Sequence, residues 1–91
     1  MAAAAWRVEF DRAAVRDLRK LGLEAERRVL RFLRERITGS DDPRRLGQAL
    51  KGDRKGLWRY RVGDYRIVAA IEDNRFVVLV VTIGHRREVY R

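Results

Sequence analysis

Leu57-Trp58-Arg59-Tyr60-Arg61-Val62-Gly63-Asp64-Tyr65-Arg66-Ile67-Val68-Ala69-Ala70-Ile71-Glu72 reads as two strands joined by a tight turn. Aromatic and β-branched residues fill both halves, and Gly63-Asp64 is the Gly-X pair that closes a two-residue hairpin loop. Such a loop sets Val62 opposite Tyr65 and therefore Arg61 opposite Arg66. Side chains alternate along a strand, so Trp58, Tyr60, Val62, Tyr65, Ile67, Ala69 and Ile71 share one face. That face is apolar or aromatic and has to be covered. Arg59, Arg61 and Arg66 stand on the other. Like charges placed directly across a strand pair cost roughly 0.2–1 kcal/mol, so folding alone does not explain Arg61 opposite Arg66. A phosphate-binding cluster does; the plainer alternative is that long guanidinium chains splay into water.

Downstream, residues 76–83 read as a third strand, reached through a turn at Asp73-Asn74. Pairing Ile71 with Phe76 puts Val78 and Val80 on the covered face and Glu72 across from Arg75. Val68, Ala70, Val77 and Leu79 then form a small apolar area on the opposite face. The same register brings Ile83 near Asp64, so that Gly84, His85 and Arg86 emerge beside Arg61 and Arg66. Groups from distant parts of the chain are thereby expected to converge at one end of the sheet.

Upstream, residues 6–10 read as a short strand, and Asp11 is placed to cap the helix that follows. Ala14, Leu18 and Leu21 recur at helical spacing, and Gly22 ends the pattern. A second helix is expected over 23–37, with Val29, Leu30, Leu33 and Ile37 as its apolar stripe and Arg27, Arg28, Arg31, Arg34 and Arg36 toward solvent. With almost nothing between them, the two helices should form an antiparallel hairpin. Residues 38–43 have loop composition. Residues 44–56 read as an irregular basic segment, pinned by Leu46 and Leu50 and ending in Lys51, Arg54 and Lys55. Strand, helix, helix and three meandering antiparallel strands make an α+β fold with the helices on one face of the sheet.

The 91 residues fit one domain spanning 1–91, and 46% hydrophobic content suffices for a core. The charge balance is 22 Lys plus Arg against 13 Asp plus Glu, a formal +9 with a pI near 11.2, which points to a polyanionic partner. The only lysines are Lys20, Lys51 and Lys55; the rest of the positive charge is arginine, which forks onto phosphate and stacks on bases. A GC-rich genome would account for the preference for arginine over lysine but not for the net charge. With no cysteine, disulfides and thiolate zinc sites are excluded. No apolar run approaches a membrane span, and residues 1–5 are too short for a signal peptide, so a cytoplasmic location is expected.

The run 58–66, together with Gly84-His85-Arg86-Arg87-Glu88-Val89-Tyr90, resembles the RelE group of the RelE/ParE toxin superfamily. The helix over 11–21 and the Leu50-Lys51-Gly52 turn are similar to that family as well. The resemblance implies a type II toxin that enters the ribosomal A site and cuts messenger RNA by attack of a ribose 2′-hydroxyl on the adjacent phosphate, without metal or cofactor. It implies Arg66 and Arg86 at the scissile phosphate and Tyr90 against a base; Lys51, Arg54, Lys55 and Arg87 are expected as further RNA contacts. Arg59 and Arg61 fall where RelE toxins tend to carry lysines, one of them a candidate base. Arginine stays protonated, so proton transfer is expected from His85, the only histidine, while Arg59 and Arg61 hold phosphates. The resemblance also implies an antitoxin partner, acidic or partly disordered until bound, for which the apolar area around Leu79 is a docking candidate. Two alternatives keep the fold and change the activity: a ParE-like toxin acting on DNA gyrase, and a non-catalytic RNA-binding protein.

Overall fold

The computed structural model describes residues 6–85. The elements run β1 (Arg7–Phe10), α1 (Arg12–Lys20), α2 (Leu23–Phe32), β2 (Gln48–Ala49), β3 (Leu57–Val62), β4 (Tyr65–Glu72) and β5 (Val77–His85). The strands form one sheet in the order β1-β5-β4-β3-β2, with β1 parallel to β5 and the other neighbours antiparallel. The expected α+β architecture is present, and β1 and β2 extend the meander to five strands. The segment 44–56 is more regular than its composition suggests: 3₁₀ turns at Pro43–Leu46 and Gly52–Arg54 bracket β2.

Local signals act where the sequence places them. The Asp11 carboxylate accepts the Ala14 N–H at 2.9 Å and caps α1, and Gly22 leaves the helix at φ 89°, a conformation that costs glycine nothing. α2 continues into a wider π turn, Leu33–Ile37, closed by the Thr38 N–H on the Leu33 carbonyl at 3.1 Å. That turn keeps both Leu33 and Ile37 buried. α1 packs mainly on β5, and α2 rests on both α1 and β3. Ala14, Leu18, Val29, Leu33 and Ile37 meet Tyr60, Ile67, Ala69, Val78, Val80 and Ile83 in one core. Truncating a fully buried Leu or Ile in such a core costs about 2–5 kcal/mol.

The first hairpin has the expected register, with Val62 opposite Tyr65 and Arg61 opposite Arg66; Gly63 takes φ 59°. The second does not. Ile71 pairs with Val78 rather than Phe76, because Asp73–Arg75 forms a 3₁₀ turn and Phe76 sits in the left-handed region at φ 53°. Glu72 accordingly lies opposite Val77, and its contact with Arg75 is an ion pair across the turn at 2.8 Å. A bulge then inserts Val81: Ala69 pairs with Val80 but Val68 with Thr82. Ile83 therefore lies opposite Ile67, not near Asp64, and β5 continues to His85.

The open apolar area expected at Val68, Ala70, Val77 and Leu79 is not open. Val68 and Val77 are fully buried, leaving parts of Ala70 and Leu79 accessible. Val77 stands in a row with Arg7 and Glu72, under the ion pairs Arg7–Glu9, Arg75–Glu9 and Arg75–Glu72. The aliphatic stems of such chains cover apolar surface while their charged heads stay in water.

Candidate nucleic-acid interface

The hairpin and the bulge together build the row Arg61–Arg66–Gly84 across β3, β4 and β5. Arg61 is exposed, whereas Arg66 is 6% exposed and is the only buried charged residue among the described residues. Its Nη1 donates to the carbonyls of Gly63 and Tyr65, each at 3.3 Å. Gly84, beside it, presents no side chain. A guanidinium anchored on backbone carbonyls is pre-oriented, since little freedom remains to be lost when an anion arrives.

Arg59 lies two residues back on the same face of β3, opposite Gln48, and its guanidinium donates to the Gln48 side-chain oxygen. Here the structure adds what sequence reasoning missed. Arg45, Leu46, Gly47, Gln48, Arg59 and Arg61 line a concavity of about 220 Å³ along the β2–β3 edge. Arg45 is exposed and held by Asp41 at 3.5 Å across solvent, a weak restraint. Gly47 permits the arrangement: a Cβ there would stand 2.9 Å from both the Arg59 carbonyl and the Tyr60 ring. The Tyr60 hydroxyl donates to the Pro43 carbonyl at 2.8 Å and fastens the same turn from below. Burial pushes the Tyr60 phenol up to about 12, against the pull of the Arg44 guanidinium. Gly47 between Leu46 and Gln48 is the local sequence signal for this turn, and it is too common to single out.

Other expected residues disperse. Lys51, Arg54 and Lys55 gather at the 3₁₀ turn before β3, at the end of the strand away from Gly63. At about 3.3 Å per residue, the six-residue strand separates them from Arg61 by well over 10 Å. With Arg59 between, they extend the positive charge along β3 as a track instead of joining one cluster. His85 pairs with Tyr65, and the two rings meet edge to face at 6.1 Å. Tyr65 packs against the core, so His85 lies on the helix side of the pleat and Arg61 and Arg66 on the other. Arg86, Arg87 and Tyr90 lie outside the described residues.

A family model described as the ParE toxin of the type II toxin–antitoxin system parDE matches residues 8–90. The chain belongs to the RelE/ParE family of type II toxins. It is 34% identical to Toxin RelE of Mycobacterium tuberculosis over 86 residues, covering 94% of this chain and 87% of that protein. It is 32% identical over 84 residues to Toxin RelG of the same organism, covering 92% and 94%. Among solved structures, the toxin–antitoxin complex RelBE2 of M. tuberculosis contains a chain that superposes at a TM-score of 0.84 with 28% identity, over 96% of this toxin and 98% of that chain. The intact E. coli RelBE complex gives 0.70 with 25% identity, over 89% and 96%. The fold of the toxin is thus that of RelE toxins crystallised with antitoxins. No helix among its described residues is long and apolar enough to cross a membrane.

Proposed function

We propose that the toxin is a ribosome-dependent endoribonuclease of the cytoplasm that cuts messenger RNA by 2′-hydroxyl attack on the adjacent phosphate. The observation that carries this reading is the arginine face, Arg59, Arg61 and Arg66, with Arg45 at its edge, built at the energetic cost of an Arg61–Arg66 cross-strand pair. The RelE names of the related toxins support it. Attack within RNA needs its own nucleophile held in line and the charge of the phosphorane stabilised. Arg66, anchored and desolvated, takes the phosphorane charge, with Arg86 following Gly84 in the chain as its partner. Arg59 and Arg61 hold neighbouring phosphates; Lys51, Arg54, Lys55 and Arg87 contact more distant ones. Tyr90 orients a base. Proton transfer falls to His85, whose imidazole must swing from Tyr65 around the end of β5 to the arginine face to meet the phosphate that Arg66 holds. The chemistry asks for no metal or cofactor.

As in the relatives solved with antitoxins, a cognate antitoxin is the natural partner, and an acidic one suits the net charge of +9. With Val68 and Val77 buried, charge and not the former apolar area is what it would meet on this face.

The test is to add the purified toxin to ribosomes translating a defined message and to map new 5′ ends. Cuts confined to A-site codons, lost in Arg61→Ala and Arg66→Ala, are the expected result. An intact message together with blocked DNA supercoiling would refute it in favour of gyrase inhibition, and an intact message with neither effect would leave an RNA-binding protein. If His85→Gln cuts as fast as the parent, proton transfer does not pass through the imidazole.

A further inference from the structure

β1 pairs with β5 only as far as Val80, whose carbonyl accepts the Asp11 N–H at 3.0 Å. Past that point no described strand borders the outer edge of β5, and an edge N–H there needs an acceptor. Asp17 of α1 supplies it. Its Oδ2 accepts the Ile83 N–H at 3.0 Å and the Thr82 hydroxyl at 2.8 Å. The next residue on α1, Leu18, is buried in the core, so the carboxylate is carried on a fixed support.

The two residues it grips follow directly on the bulge at Val81. That position matters because a competing register exists. Without the bulge, the pairing of Ala69 with Val80 would run on as Val68 with Val81, Ile67 with Thr82 and Tyr65 with Gly84. A slip of one residue sends every later side chain to the opposite face. Apolar patterning discriminates little over Val80-Val81, although burial of Ile83 favours the bulged form. Asp17 distinguishes the two registers by hydrogen bonding, since only the observed one presents the Thr82 hydroxyl and the Ile83 N–H to the same oxygen.

We infer that Asp17 is a positioning residue for RNA cleavage, holding β5 in the bulged register that sets Gly84 beside Arg66 and His85 beside Tyr65. This rests on the ribonuclease reading above. Asp17 touches no substrate; it acts through the residues that end β5.

The experiment compares Asp17→Ala, Asp17→Asn, Thr82→Val and Thr82→Ser with the parent. kcat and KM are measured on programmed ribosomes, and exchange of the Ile83 amide is followed by NMR. An amide oxygen can still accept both bonds and serine still donates one, so Asp17→Asn and Thr82→Ser should keep most activity. Asp17→Ala should lower kcat by about tenfold to a hundredfold, the scale of a small misplacement of reacting groups, with KM within about twofold and the Ile83 amide exchanging faster. Thr82→Val should fall between. Unchanged kcat in Asp17→Ala, or a loss that raises KM alone, overturns the inference. Should Asp17→Ala fail to fold, Thr82→Val carries the test: parental kcat in that variant makes Asp17 a fold residue only and overturns the inference as well. A parent protein that leaves the message intact overturns both this inference and the reading beneath it, whereas a parent that cuts beside an indifferent Asp17→Ala overturns this one alone.

Discussion

Replacing Tyr60 with Phe removes one oxygen from the interior and tests how the turn beneath the arginine face is held. Tyr60 is fully buried, its ring lies 6.1 Å from that of Phe32, and its hydroxyl donates to the carbonyl of the equally buried Pro43. Phenylalanine fills the same space but leaves that carbonyl without its donor, at a cost of about 1–2 kcal/mol. For a chain of this size that lowers Tm by roughly 5–15 °C. The alkaline limb gives a second, independent reading. The phenol ionises near 10.0 when unfolded and near 12 in the fold, chiefly because burial disfavours the phenolate. A raised folded value means the contribution is complete below pH 10 and is lost as pH rises toward 12, about 2–3 kcal/mol in all. Urea titrations of both proteins at pH 8, 10 and 11.5 isolate this group, since every other titrating residue is shared. The parent should lead at pH 8, and the gap should close or reverse by pH 11.5. A gap that stays constant across that window would refute the assignment of the displaced ionisation to Tyr60.

Arg61→Thr relieves the like-charge pair with Arg66 at an exposed site, so Tm should hold or rise by a few degrees while cleavage falls at least tenfold; calorimetry and the ribosome assay check the two halves. Gly63→Ala forces φ 59° on a residue with a Cβ and pushes the movable tip of Arg28 from 2.9 Å, costing about 1–2 kcal/mol in a denaturant titration. The Arg44 guanidinium, bonded to Asp73 at 2.8 Å, holds that carboxyl below its ordinary 3.8. A depressed folded value gives stability that is present above pH 4 and lost on acidification, so Arg44→Gln should show a shallower loss between pH 5 and pH 2 in an acid titration followed by circular dichroism.

How far the sequence disclosed the fold depended on how tightly each connection was constrained. Gly63-Asp64 leaves no slack: two residues, one glycine at φ 59°, and the register from Leu57 to Ala70 follows. Asp11 and Gly22 act through their own backbone neighbours and were equally legible. The turn at Asp73 was not, because Phe76 occupies a left-handed conformation that a bulky aromatic rarely adopts and no local pattern announces. Arg45 and Gln48 join the arginine face through a turn fixed by Tyr60 and Gly47, a tertiary contact invisible to spacing. Asp17 sits among the polar residues of α1 and reads as solvent-facing until β5 is seen to end beside it.

The two departures in β5 had unequal consequences, and the difference follows from the period of a strand. Pairing Ile71 with Val78 instead of Phe76 is a shift of two residues, which preserves every face. Val78 and Val80 therefore reach the core as expected, and the error leaves no mark on the hydrophobic pattern. The extra residue at Val81 adds one more, and one is odd. Straight alternation carries His85 to the arginine face; the bulge turns it toward Tyr65 and the helices, and puts Gly84 in line with Arg61 and Arg66. The run from Val77 to Ile83 is apolar at nearly every position, so no alternation was available to reveal the change of phase. The geometry of the site thus hangs on a single inserted residue, and the carboxylate of Asp17 grips the two residues that follow it.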